Sequence, residues 1–226
     1  MKYQKEVFKT SDGSMSIRVK GIKETYHSRH GALTESQFVY IKEGLDFCNS
    51  TEQKSTLRIL ELGYGTGLVA YLTYLNSINF NTKIDYVSID PFPINSDEVQ
   101  MLHYDNLFLK SSVPFDFNAF SALEWNETHP LSPFFSITKK RVSFQDFECD
   151  TPFDLLYYDA FGAHAQPELW ESQWMIKSAA LLNQGGIWVS YCAKGSVRRG
   201  LELAGFEVFR LPGPPGKREM MRALKR

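Results

Sequence analysis

The sequence predicts an α/β fold in which a mostly parallel β-sheet carries helices on both faces, with a small β-hairpin and helix in front of it. Three observations carry that prediction. Apolar runs of strand length at 57–62, 84–89 and 153–158 are separated by segments of helical composition. Two of them stop directly at an aspartate, Asp90 or Asp159, and the third runs into the glycine-rich turn Gly63-Tyr64-Gly65-Thr66-Gly67. No repeat, low-complexity tract or linker divides the chain, so residues 1–50 read as an extension of the same domain and 51–226 as its core.

The turn Thr10-Ser11-Asp12-Gly13-Ser14 between alternating residues predicts a hairpin as the first element, and a helix is expected near 35–49. A strand at 57–62 and a helix at 67–77 flank the glycine turn. The strand at 84–89 is stopped by Asp90-Pro91-Phe92-Pro93, because proline cannot continue a ladder. A helix is expected over 95–110, the Pro- and aromatic-rich stretch 113–133 takes no assignment, and a short strand is expected at 141–144. After the strand 153–158 and a helix at 168–182, Asn183-Gln184-Gly185-Gly186 should turn the chain into a strand at 187–192. A helix at 195–204 and two strands, 206–211 and 218–224, joined through Pro212-Gly213-Pro214-Pro215-Gly216, complete the pattern.

Composition narrows the function classes. With 226 residues, 43% of them hydrophobic, the chain can bury a large core without staples. Cys48, Cys149 and Cys192 are odd in number and far apart, which argues against a disulfide framework or zinc site. The first residues lack the apolar stretch of a secretion signal, and no apolar run reaches the roughly 18 residues of a membrane span. The expectation is a soluble, cytoplasmic protein with no membrane partner. Charge is uneven: 85–171 holds fifteen acidic and four basic residues, whereas 191–226 holds nine basic and three acidic. A polyanion would be met locally by that basic end, the alternative being a solvated basic tail.

The glycine turn is not a dinucleotide fingerprint, since Leu68 stands where the third glycine would be required. Glu61-Leu62-Gly63-Tyr64-Gly65-Thr66-Gly67 instead resembles the first motif of class I, Rossmann-like methyltransferases that use S-adenosylmethionine (SAM). In those, the acid and the turn (here Glu61, Gly63, Gly65 and Gly67) hold the cofactor's amino-acid end. Asp90, after the second strand, is placed to accept ribose hydroxyls, or serves as a turn former before proline. Asp146 falls at the adenine position, or caps a helix, and the two roles are compatible. Asp159 would face the reactive sulfonium.

The segment Asp159-Ala160-Phe161-Gly162-Ala163-His164-Ala165-Gln166-Pro167-Glu168-Leu169-Trp170 extends the resemblance. So do Glu24-Thr25-Tyr26-His27-Ser28-Arg29-His30-Gly31-Ala32 with Glu35-Ser36, then 195–201 with Ala204-Gly205-Phe206, and Gly216-Lys217-Arg218-Glu219-Met220-Met221. Together they resemble the tRNA 5-methylaminomethyl-2-thiouridine methyltransferases, known as the methyltransferase half of MnmC and as stand-alone MnmD enzymes. Gly162-Ala163-His164 and Gln166 depart from that family's loop. The resemblance implies methyl transfer from SAM to the amine of 5-aminomethyl-(2-thio)uridine in tRNA, with Asp159 holding the amine and assisting proton loss. It also implies a separate enzyme that supplies the aminomethyl substrate. Tyr26, His27, Ser28, Gly31 and Glu35 would form a lid or pocket wall beside Phe161, while Lys194, Arg198, Arg199, Lys217 and Arg218 would meet phosphates. No FAD fingerprint is present and no metal is expected: His27 and His30 lack a third ligand nearby. Other readings of the same pattern are a polyamine-type aminopropyltransferase, a small-molecule methyltransferase and a non-catalytic nucleotide-binding module. Oligomeric state is not encoded in any of these features.

Overall fold

The computed structural model describes residues 4–22, 24–51, 54–80, 82–108 and 115–226. Its first elements are an antiparallel hairpin, β1 (Lys5–Lys9) and β2 (Met15–Val19), joined by the short β3 (Glu24–Thr25). Asp12 closes the hairpin turn. Its carboxylate accepts from the Ser14 N–H at 3.0 Å and from the Thr34 N–H at 2.9 Å, which fastens the hairpin to the next helix.

That helix runs over 32–51 as α1 (Ala32–Ser36), a π-wound middle (Gln37–Asp46) and α2 (Phe47–Thr51). Gly44 lets it lie close against the sheet, since a Cβ there would fall 2.9 Å from Tyr157 Cε1 and 3.2 Å from Val189 Cγ1, both buried. Gly44→Ala is therefore expected to destabilise. Overpacking costs about 1–3 kcal/mol, and the helix-propensity gain of about 1 kcal/mol offsets only part of it. Urea unfolding of the two proteins measures the difference.

The main sheet has eight strands among the described residues: β4 (Thr56–Leu62), β5 (Lys83–Ile89), β6 (Thr128–Ser132), β7 (Phe135–Lys140), β8 (Phe153–Tyr158), β9 (Leu182–Ser190), β10 (Phe206–Pro212) and β11 (Glu219–Lys225). Their order is β10-β11-β9-β8-β4-β5-β7-β6. The five central strands are parallel, and β6 and β11 pair antiparallel with their inner neighbours. Alternation along each strand makes two cores. Leu57, Ile59, Leu155 and Tyr157 pack on one face with α3 (Leu68–Ser77) and the 32–51 helix. Leu60, Leu62, Leu156 and Tyr158 pack on the other with α6 (Ser172–Leu181) and α7 (Gly195–Leu203). β4 and β8 sit at the centre, so the residues just past their C-terminal ends lie in the middle of the carboxyl edge.

Several boundaries differ from expectation. The third parallel strand is β7, not 141–144, which has no strand structure. Lys139 accounts for the displacement: it is fully buried, its ammonium 5.2 Å from the ring centres of both Tyr64 and Trp125 and donating to the Ser121 carbonyl, so a buried strand carries a lysine in the core before ending at the exposed Lys140. Within the unassigned stretch, Pro130 is tolerated because β6 is an edge strand. The helix expected over 95–110 is only α4 (Ser96–Gln100) plus a 3-10 turn (Tyr104–Leu107); positions 109–110 of it, and 113–114 of the next stretch, lie outside the described residues, as do 1–3. α5 (Phe117–Ser121) comes next. The 168–182 helix begins later, at Ser172, behind a 3-10 turn (Pro167–Trp170). β9 starts at Leu182 and takes in 183–186, its pairing with β8 shifting register there around Gly185 at φ 77°.

Candidate active site

At the carboxyl edge of the sheet lies a cavity of about 800 Å³, within the size range of small-molecule sites. Its floor is the ends of β4, β5 and β8, its roof Tyr26, His27 and Ser28 from the segment after β3, and its far rim Lys194, Lys217 and Arg218. The glycine turn needs its glycines. Gly63 has φ 94°, and a Cβ there would sit 2.6 Å from the Asp159 carbonyl oxygen, so this glycine lets the β4 and β8 ends meet. Gly65 has φ 54°, and a Cβ would come 3.2 Å from Tyr26 Cδ1. Its N–H donates to Asp90 at 3.0 Å, and the Phe92 N–H donates to the other oxygen of that carboxylate at 2.8 Å. Asp90 is thus oriented by two backbone donors beside the turn, and burial pushes its pKa up against their opposing effect.

Asp159 is the centre of the site's electrostatics. It comes directly after β8, whose six residues are all buried, and it lines the cavity. Desolvation pushes its carboxyl up to about 7, while a hydrogen bond from the Tyr40 hydroxyl at 2.5 Å works the other way. Tyr40 comes from the π-wound part of the 32–51 helix, a winding that recurs at functional positions. Beside it, Glu35 is held from two sides: it accepts the Ser28 N–H at 2.7 Å and pairs with Lys217 Nζ at 2.6 Å. Lys217 Nζ also lies 3.7 Å from the centre of the Tyr191 ring, and Tyr191 donates to the Ala160 carbonyl at 2.8 Å.

Of the residues singled out in the sequence, Gly63, Gly65, Asp90, Asp159, Tyr26, His27, Ser28, Glu35, Phe161, Lys194, Lys217 and Arg218 all line this one cavity. Others do not. Glu61 lies under the turn, fully buried, accepting from Ser88 Oγ on the neighbouring strand; burial holds its pKa well above the carboxylate range. Gly67 lies beyond the lining, under the Tyr64 ring. Asp146 is outside it too, exposed and bonded to Ser143 at 2.6 Å, while its neighbours Ser143, Phe144 and Gln145 line the wall. Gly31 serves the hairpin junction, where a Cβ would overlap the Asp12 carboxylate.

The cations expected to meet phosphates stand in different surroundings. Lys217 points inward to Glu35 instead of outward, and Arg198 pairs with Glu202 one turn along α7 at 3.0 Å; Arg198 and Arg199 lie outside the cavity lining. His27 is buried between Ser16 and Thr66 hydroxyls, and desolvation pushes it down to about 4, so it is neutral at physiological pH. Among the described residues no group of three His, Cys, Asp or Glu side chains is disposed to hold a metal ion. Tyr40 and Tyr191 escape sequence reasoning. A tyrosine at a fully buried helix position, where phenylalanine would pack as well, is the one signal for Tyr40, since its hydroxyl needs a partner.

The arrangement fits SAM: a glycine cradle that a Cβ would fill, a backbone-oriented carboxylate after the second strand, and a cavity large enough for the molecule. Comparison with known proteins agrees. Residues 133–226 match a family described as S-adenosyl-L-methionine-dependent methyltransferase. The chain is 26% identical over 210 residues to the tRNA 5-methylaminomethyl-2-thiouridine biosynthesis bifunctional protein MnmC of Hydrogenovibrio crunogenus, covering 87% of this chain and 31% of that protein. It is 27% identical to the MnmC protein of Aromatoleum aromaticum, covering 96% and 35%. The chain therefore spans about a third of the length of these curated relatives. The crystal structure of MNMC2 from Aquifex aeolicus superposes with a TM-score of 0.73 at 24% identity, over 98% of this chain and 70% of that one. From the sheet order, the site at its carboxyl edge and these likenesses, the chain has the class I methyltransferase fold, is similar over 133–226 to a family of SAM-dependent methyltransferases, and is similar over most of its length to part of the MnmC proteins.

Proposed function

We propose that this enzyme methylates the primary amine of 5-aminomethyl-(2-thio)uridine at the tRNA wobble position, giving 5-methylaminomethyl-(2-thio)uridine. The observation that carries this reading is Asp159: a carboxylate at the end of the central strand β8, oriented by Tyr40 and desolvated among aromatic side chains, suits an amine ligand. The name shared by the curated relatives supports the substrate. Gly63, Gly65 and Asp90 would hold SAM, which supplies an electrophilic methyl group. Glu61 would brace the turn from below, and Asp146 would act on the adenine side through the wall formed by 143–145. Residues 1–50 belong to the same domain and roof the site.

An alkylamine is mostly ammonium at neutral pH, with a pKa of roughly 10.4 for a lysine-like amine, and an ammonium has no lone pair to attack with. The task of the chain's own residues is to seat the amine, exclude water and accept its proton. Asp159 would seat the amine and accept its proton, and the Tyr26 and Phe161 rings, 5.0 Å apart edge to face, would form the apolar wall that excludes water. Tyr40→Phe would remove a bond that favours the charged carboxylate, so the acid limb of its rate profile is expected at higher pH than in wild type.

The tRNA would lie across the basic C-terminal part, with Lys194, Arg199 and Arg218 as phosphate contacts and Arg198 sharing its charge with Glu202. Each contact removed should flatten the dependence of log affinity on log salt by about 0.7 to 0.9. Filter binding of tRNA by a Lys194→Ala/Arg218→Ala protein over a salt series checks this; an unaltered slope would favour a small-molecule amine as substrate. Among the described residues no helix is long and apolar enough to cross a membrane, and a cytoplasmic site of action accords with a tRNA substrate. The aminomethyl precursor would be supplied by a preceding reaction that leaves the free amine on the uridine. Nucleoside analysis of tRNA from a strain lacking this chain tests the proposal: aminomethyl-uridine should accumulate as its methylated product disappears, and an unchanged nucleoside profile would refute it.

A further inference from the structure

Two of the carboxylates lining the cavity, Glu35 and Asp159, act on one another at the corner where the amine must lose its proton. Glu35 reaches in from the start of the 32–51 helix and Asp159 from the end of β8. An ammonium shared between two carboxylates would be held in its charged, unreactive form. The turn between β10 and β11 supplies the counter-charge. The Lys217 N–H donates to the Pro214 carbonyl at 2.9 Å and the Gly213 N–H to that of Arg218 at 3.1 Å, so the turn is closed on itself and presents Lys217 to the site. Its ammonium sits 2.6 Å from Glu35 and 3.7 Å from the Tyr191 ring centre, and that ring is anchored to Ala160, the residue after Asp159.

We propose that Lys217 is a charge-setting, positioning residue of the amine site, neutralising Glu35 so that Asp159 alone faces the substrate's amine and the amine is pressed toward its free-base form. This rests on the reading of the enzyme as an amine methyltransferase. A cation fixed beside a reacting amine lowers that amine's basicity, as in enzymes that use paired cationic groups to activate lysine. The other ionisable groups facing this corner leave the balance intact. Glu24 accepts the Gly162 N–H at 3.0 Å and the Thr25 N–H at 2.9 Å, Glu219 pairs with Arg210 at 3.5 Å, and His27 and Cys192 are held neutral by burial. Tyr40 and Tyr191 are held as phenols for the same reason. Lys194 and Arg218 stand at the rim and add positive charge of the same sign as Lys217.

The test compares wild type, Lys217→Met, Lys217→Arg and the Lys217→Met/Glu35→Gln pair in two measurements. One is binding, without SAM, of tRNA bearing aminomethyl-uridine relative to the same tRNA with unmodified uridine, a ratio that cancels phosphate contacts. The other is single-turnover methyl transfer against pH. At pH 7 Lys217→Met should bind the amine-bearing tRNA about tenfold more selectively yet methylate it about tenfold more slowly, a unit charge at this range being worth about one pKa unit. Both differences should persist through neutral pH and shrink only as pH rises past the amine's own pKa of roughly 10.4, Lys217→Arg should behave as wild type, and adding Glu35→Gln should restore the wild-type profile. If Lys217→Met does not fold, Glu35→Gln alone carries the test with the opposite sign, about tenfold weaker amine selectivity. A loss of equal size at every pH, or no rescue by the second substitution, would reduce Lys217 to a structural or phosphate-binding residue. Failure of the wild-type enzyme to methylate the amine at all would instead overturn the underlying reading.

Discussion

Asp159→Asn is expected to keep SAM affinity within about twofold and to cut methyl transfer on the order of 10²- to 10⁴-fold, the range of a positioned proton acceptor. Asparagine matches the shape and can still meet the Tyr40 hydroxyl, but it carries no charge and accepts no proton. A single-turnover rate reduced less than about tenfold would assign proton removal to water. The same group gives a stability signature independent of substrate. Because burial raises the folded-state pKa from 3.8 to about 7, the neutral carboxyl contributes stability that is fully present below about pH 4 and is lost as pH rises through 7. Melting temperatures of wild type and Asp159→Asn across pH 4 to 8 should therefore diverge, the variant gaining on wild type as pH rises and the gap levelling off above pH 7.

Gly65→Val should abolish SAM binding, with at least about a 100-fold loss of affinity, equivalent to about 2.7 kcal/mol. A β-branched residue at φ 54° is strained by about 1–3 kcal/mol, its Cβ meets the Tyr26 ring, and the strain falls on the N–H that orients Asp90. Calorimetric titration of the folded variant decides this. Undiminished SAM binding would remove the glycine turn from the cofactor site.

The parts legible in the sequence are those where one local pattern has one meaning. β4, β5 and β8 are apolar runs with sharp ends, and a central parallel strand is buried on both faces, so its limits and the residue just past it can be read directly. That is why Gly63, Gly65, Asp90 and Asp159, distant in sequence, meet in one cavity. β7 is harder to read because its last buried residue is a lysine, stabilised by two aromatic faces that only the tertiary fold brings to it. β6 is harder because a proline is acceptable there solely through its place at an edge. The same limit applies to the site. Lys217 looks from the sequence like any cation of a basic tail; its inward pairing depends on Glu35, 182 positions earlier, being aimed at the same point. Tyr40 belongs by pattern to the core face of a helix, and only its hydroxyl reaches the chemistry.

The most direct test of the proposed activity is reconstitution with purified enzyme, SAM and tRNA isolated from cells lacking this chain, followed by mass spectrometry of the nucleosides. Conversion of 5-aminomethyl-(2-thio)uridine to its N-methyl form, a gain of one CH₂ matched one for one by S-adenosylhomocysteine, is the predicted result. An aminomethyl-uridine peak that persists unchanged, with the methyl group absent from tRNA or carried by a different nucleoside, would contradict it.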